Sequence, residues 1–188
     1  MSGLLDHVQG KLKDDVYTLN LEEKGGSLYL GAIDPHIPVT SLVWSPALDN
    51  QHGHWTVASS VAGVELKQHA VVDSGTASIM ISKVIAQQIY SHAPVDISVE
   101  QGLTLGLYEC KKPPRITVQI GTLRQTLSPQ TVNLGKSEAD PSKCYWPIVG
   151  LPAEQDFGAD AILGAAFMKS EENRSVRAGC LTMFLAFA

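Results

Sequence analysis

The chain has 188 residues, of which 44% are hydrophobic and 18% charged, with a formal net charge of −5. That length predicts one domain able to bury a sizeable core, and the composition excludes wholesale disorder. The acidic balance speaks against a nucleic-acid binder, which would carry a basic excess, and no run of about 18 apolar residues exists to cross a membrane as a helix. The opening MSGLLDHVQGKLKDD lacks the apolar stretch of a signal peptide, so with Met1 as the native start the expectation is a cytoplasmic protein. Cys110, Cys144 and Cys180 are an odd set with no CxxC, and no Cys/His spacing fits a zinc site.

In chain order, residues 3–12 have Leu4, Leu5, Val8 and Leu12 on one helical face, which predicts a short helix. Val16 to Leu21 alternates as a half-buried strand does, Glu22 to Gly26 reads as a turn, and Ser27 to Gly31 as the returning strand. Asp34-Pro35 opens another turn, and Val39–Trp44, Trp55–Leu66 and His69–Val72 read as further strands. Ser82 to Tyr90 is the best helix, with Ser82 as N-cap ahead of Val84, Ile85 and Ile89. Residues 115–120 and 123–127 form a hairpin around Gly121-Thr122. Cys180 to Ala188 is almost continuously apolar, as a buried strand would be. No repeat, low-complexity segment or linker divides the chain, so the expected fold is all-β with one or two short helices, in a single domain over 1–188.

The most informative segment is Val71-Val72-Asp73-Ser74-Gly75-Thr76. Two apolar residues deliver a carboxylate to the end of a buried strand, and Ser74 and Thr76 supply hydroxyls beside it. Gly75 permits a tight turn and leaves an N–H free to approach the carboxylate. A carboxylate held by such donors is a fixed acceptor able to orient a water molecule. Ala161-Ile162-Leu163-Gly164 supplies a second element: two apolar residues and a glycine, as a loop passing tightly behind the first would need.

Together these segments resemble the C-terminal lobe of a pepsin-like aspartic protease. Gly25 to Pro35 is similar to the family form GGxLxFGGxD, Ser41 to Pro46 to SLxWVPV, and Gly53-His54-Trp55 to its Gly-Tyr-Trp. Asp73-Ser74-Gly75-Thr76 matches the second catalytic Asp-Thr/Ser-Gly, and Ile162-Leu163-Gly164 with Phe167 matches ILGDxF. The resemblance implies a disulfide between Cys110 and Cys144, 34 positions apart. Ala165 stands where ILGDxF has Asp, and Lys169 to Arg177 is polar where the family has an aromatic-rich strand. Residues 170–178 are therefore expected as an exposed loop or helical extension, with the last strand rebuilt from Leu181 to Phe187.

The resemblance implies peptide hydrolysis by two carboxyl groups sharing a proton, one acting as base on water and the other polarising the carbonyl. This sequence has a single Asp-Ser-Gly-Thr, and the first lobe and its flap are absent from it. A lone aspartate near its reference pKa of about 3.9 is a weak base at neutral pH and no acid. The expectation is thus an aspartic-type peptidase lobe in which Asp73 activates water, supported by Ser74, Gly75, Thr76, Ile162, Leu163 and Gly164. The second carboxylate would come from a homodimer mate, as in retroviral proteases, or from a separate partner lobe. The substrate would be a peptide or an apolar small molecule. The alternatives are an intracellular enzyme that cyclises or isomerises a small metabolite on this lobe, or a non-catalytic binding module. A fragment of a longer precursor would be secreted or vacuolar instead of cytoplasmic. His52-Gly53-His54 lacks a third ligand at suitable spacing, so no metal or other cofactor is expected.

Overall fold

Short runs of alternating sequence broken by glycine produce many short strands, and these position the site. The computed structural model describes residues 11–14, 16–21, 25–48, 54–152, 158–169 and 184–187. In chain order they form β1 (Tyr17–Asn20), β2 (Ser27–Leu30), β3 (Val43–Pro46), β4 (Thr56–Val57), β5 (Ser59–Val61), β6 (Val64–Glu65), β7 (Ala70–Val72) and β8 (Ile79–Ser82). Helix α1 (Lys83–Tyr90) follows, then β9 (Asp96–Glu100), β10 (Leu103–Glu109), β11 (Thr117–Ile120), β12 (Leu123–Thr126), β13 (Lys143–Leu151) and β14 (Ala161–Leu163). A single turn of helix, α2 (Ala165–Met168), and β15 (Phe184–Phe187) close the order.

Seven strands form one mixed sheet in the order β4-β7-β14-β8-β13-β10-β9, and four form a second in the order β12-β11-β5-β6. One buried cluster draws on both sheets: Val72, Ile79, Ile81, Ile148 and Leu163 from the first, Val61, Val118 and Ile120 from the second. Helix α1 adds Ala86, Ile89 and Tyr90, and α2 adds Phe167 and Met168. Each large side chain in this cluster contributes about 1.5–3 kcal/mol of burial. Helix α1 begins at the expected cap, with Ser82 Oγ accepting from the Ile85 N–H at 3.5 Å. It sits close because Gly150 and Gly106 leave room: a Cβ on Gly150 would meet the Ala86 Cβ at 2.9 Å, and one on Gly106 would meet the Tyr90 ring at 3.2 Å.

The β1–β2 and β11–β12 hairpins and the strand before Asp73 lie where the sequence places them. Other elements differ. The strand expected over Val39–Trp44 begins four residues later, because Val39–Ser41 is a turn of 3-10 helix following Pro38. Trp55–Leu66 is three strands, since Ala62 adopts a positive φ of 50° beside Gly63 and turns the chain. Strand β1 buries Thr18 and Asn20, and leaves its apolar residues half exposed. The Thr18 hydroxyl donates to the Ala32 carbonyl and accepts from the Asp34 N–H, both at 3.2 Å, so the polar face is the one the neighbouring loop can satisfy. The β9–β10 hairpin and β13 have no counterpart in the sequence reading. Pro147 disguises β13, but it falls where the β10–β13 register shifts, so its missing N–H breaks no regular ladder. Strand β15 pairs with β3, Phe184 opposite Pro46 through Phe187 opposite Val43, within the expected terminal strand. The expected helix over 3–12 falls almost wholly outside the described residues, as do the expected loop over 170–178 and Cys180.

Candidate active site

The site is built at the end of β7, whose three residues are all buried. Strand β14 runs parallel beside it, Ala161 opposite Ala70, Ile162 opposite Val71 and Leu163 opposite Val72. Strand β8 lies antiparallel on the other side of β14. The chain leaves β7 at Asp73, whose N–H donates to the Leu163 carbonyl at 3.2 Å. Asp73 is half-buried, while Ser74 and Gly75 are exposed.

Two donors hold the Asp73 carboxylate. The Gly75 N–H donates to Oδ1 at 2.9 Å, and the Thr76 hydroxyl donates to Oδ2 at 2.6 Å. A Cβ at Gly75 would lie 3.2 Å from Oδ1, so glycine keeps this approach close. Of the two hydroxyls following the aspartate in sequence, Thr76 donates to the carboxylate, whereas Ser74 is exposed and makes no such bond. Each carboxylate oxygen retains lone pairs after these bonds, so the group can accept from a water molecule on its open side.

Ile162, Leu163 and Gly164 come to the back of this loop. The Gly164 N–H donates to the Ser78 carbonyl at 3.1 Å, the Ala165 N–H to the Thr76 carbonyl at 2.6 Å, and the Ala166 N–H to the Ala77 carbonyl at 3.0 Å. A Cβ on Gly164 would run into the carbonyl oxygens of both Thr76 and Ser78, so no other residue fits there. The tie is made by backbone groups, and Ala165 takes part through its N–H whatever its side chain.

A further residue, not found by sequence reasoning, braces the opposite end of the strands. The Asp160 carboxylate accepts the Gln68 N–H at 2.7 Å, its own N–H donates to the His69 carbonyl at 3.0 Å, and its carbonyl accepts the Ser82 N–H at 3.2 Å. Asp160 thus ties the starts of β7 and β14 to the end of β8. His69, between Gln68 and β7, has a positive φ of 66°. The only sequence signal is an acidic residue, two positions after Gly158, just before an apolar strand.

Far from the site, Cys110 and Cys144 form a disulfide with Cα atoms 5.0 Å apart. It joins the end of β10 to the start of β13. His54 is exposed, and His52 lies outside the described residues. Among the described residues, no group of three His, Cys, Asp or Glu side chains could hold a metal ion.

A strand ending in a carboxylate held by its own loop, with Ile162-Leu163-Gly164 locked behind it, is the arrangement the resemblance to aspartic proteases leads one to expect. The family model for eukaryotic aspartyl proteases matches residues 5–173, and the chain belongs to that family. Aspergillopepsin-1 of Emericella nidulans is 28% identical to it over 173 residues, covering 88% of this chain and 42% of the relative. The chain therefore spans about two fifths of the length of the curated relative it matches.

Proposed function

We propose that the chain is the C-terminal-type lobe of an aspartic peptidase, in which Asp73 supplies one of the two carboxylates that activate water against a peptide bond. The observation that carries this reading is the half-buried Asp73 carboxylate, fixed by Gly75 and Thr76 with lone pairs left over for a water molecule. Gly75 and Thr76 support it directly, and Ile162, Leu163 and Gly164 through backbone ties behind the loop, while Ser74 is an exposed residue of the same turn. A single carboxylate has no like charge nearby to separate two pKa values, so hydrolysis requires a second one from outside this lobe. The partial coverage of the relative favours a partner lobe carried by the remainder of a longer chain, with a twofold mate as the other source. Exposed Leu28, Leu30, Val39 and Trp44 offer apolar surface for either to cover. The Cys110–Cys144 bond favours an oxidising compartment, secreted or vacuolar, over the cytosol.

The deciding experiment is a peptide-library digest between about pH 3 and pH 7, with the wild-type chain and Asp73→Asn side by side. The homodimeric form predicts cleavage that peaks in acid, where one carboxyl of the pair holds a proton, and that falls by more than about a hundredfold in the variant. The partner-lobe form predicts the same loss only once the missing lobe is restored. Cleavage that persists unchanged in Asp73→Asn overturns the reading. Turnover of a small metabolite without peptide cleavage in either arrangement transfers the lobe to other chemistry.

A further inference from the structure

The seven-stranded sheet ends at β9, and among the described residues no strand pairs with its outer edge. The β9–β10 hairpin is tight: Glu100 opposes Leu103 across Gln101 and Gly102, whose φ values are +50° and +84°. A two-residue turn of this hand makes the Glu100–Leu103 pair hydrogen-bonded, and the pattern then alternates along the strand. Glu100, Ser98 and Asp96 therefore face β10 with their backbone groups, while the N–H and C=O of Ile97 and Val99 point outward. The side chains alternate likewise. Ile97 and Val99 share the sheet face that carries α1, since their register partners Gly106 and Thr104 are covered by Tyr90 and Ala86 of that helix or lie in direct contact with them. These two residues remain 53% and 64% exposed.

The opposite face of the strand is acidic. Asp96 accepts from Lys143 Nζ at 2.9 Å, and Glu100 accepts from the Tyr145 hydroxyl at 3.1 Å, which holds both carboxylates in place. The Asp96 side chain is still 70% exposed, so oxygen lone pairs remain available. Glu109 and Asp140 add negative charge near Lys143. Of the devices that ordinarily blunt an exposed edge, β9 has no lysine, proline or bulge and carries charge only in Asp96 and Glu100 at its two ends, so its protection is one-signed.

We propose that β9 is a docking edge for an extended segment of a partner protein with a basic–apolar–polar–apolar–basic alternation, which adds as an antiparallel eighth strand. The outward N–H and C=O groups of Ile97 and Val99 supply the ladder, their side chains face apolar partners, and Asp96 and Glu100 face the two basic residues. Charge selects against a second copy. Two β9 strands paired about Ser98 would match Ile97 to Val99 but set Asp96 against Glu100 twice. This surface is independent of the reading of Asp73.

The test is fluorescence anisotropy at neutral pH and low salt with a labelled peptide containing Lys-Val-Thr-Val-Lys. The wild-type chain binds it, and Glu-Val-Thr-Val-Glu does not compete. Val99→Pro deletes one outward N–H at an edge position that tolerates proline, and weakens binding at least about tenfold. Asp96→Lys with Glu100→Lys weakens it by about fivefold or more and transfers binding to the acidic peptide. Far-UV circular dichroism and the intact Cys110–Cys144 bond report folding of both variants. Absence of binding, binding that survives Val99→Pro and the charge reversal, or neutral-pH dimers that Val99→Pro abolishes would each overturn the proposal.

Discussion

The two flanks of the seven-stranded sheet are built by opposite means. Around β7 and β14 every strand residue is buried or half-buried, and the loop carrying Asp73 is locked by backbone hydrogen bonds from Gly164, Ala165 and Ala166. At the other end, β9 pairs only with β10 among the described residues, is held by a tight turn and an outer ion pair, and leaves its far edge exposed. The first flank is tied by buried backbone hydrogen bonds that would have to break together. The second can open locally at small cost, as sheet edges with exposed hydrogen bonds do. A rigid carboxylate on one flank and an adaptable edge on the other can serve different purposes in one lobe.

The largest expected effect tests the locked flank. Gly164→Ala drives a Cβ into two carbonyl oxygens that themselves accept hydrogen bonds, and should cost about 4 kcal/mol or more or prevent folding, read by urea denaturation. A variant within about 1 kcal/mol of wild type would mean that the loop can yield, and the contrast with β9 would fail.

Next is the disulfide. Replacing Cys110 and Cys144 by serine removes a closure between residues 34 apart and should cost about 3–4 kcal/mol in the chain-entropy model. Hydrogen exchange sharpens the comparison: amides of β9 should lose protection first, while those of β7 and β14 open only with global unfolding. Equal loss on both flanks would show one cooperative unit instead of two.

Tyr90 lies between the flanks. Its hydroxyl donates to the carbonyls of Ile148 at 2.6 Å and Thr104 at 3.1 Å, and burial pushes its ionisation well above the usual tyrosine range. Tyr90→Phe leaves two buried acceptors without this donor and should cost about 1–3 kcal/mol. Because the folded-state pKa is raised, the stability held by neutral Tyr90 is fully present below the unfolded value of about 10 and drains away as pH rises above it. Alkaline denaturation curves of wild type and variant should therefore converge above that pH.

The smallest effect is at the hinge of the open flank. Gln101 occupies a left-handed position that suits asparagine or glycine, so Gln101→Asn should add about 0.5 kcal/mol, measured by thermal melting. A loss would mean that the Gln101 side chain holds the hairpin in some other way.

Local chemistry carried much of the site in the sequence. Asp73, Gly75 and Thr76 are neighbours in the chain, so a carboxylate with an N–H and a hydroxyl two and three residues on is legible without a structure. Gly164 was legible too, because a glycine following two apolar residues marks a place where another backbone comes close. The Ser82 cap and the Gly121-Thr122 hairpin are likewise local, since each depends on residues within a few positions of one another.

Only the tertiary structure decided the rest, because its causes lie far apart in sequence. Asp160 braces Gln68 and His69 across 92 positions, and no pattern within either segment announces it. Which hydroxyl serves Asp73 was settled by the path of the loop: Thr76 donates to the carboxylate and Ser74 stays exposed. The apolar face of β1 stays half exposed because Ala32 and Asp34 satisfy Thr18 on the other side. The β9–β10 hairpin turns on Gln101, whose side chain gives no sign of positive φ. The same constraint explains the two outcomes. Composition and spacing determine what a segment can form by itself, whereas the burial of each face and the partner of each buried polar group depend on which distant backbone arrives to meet it.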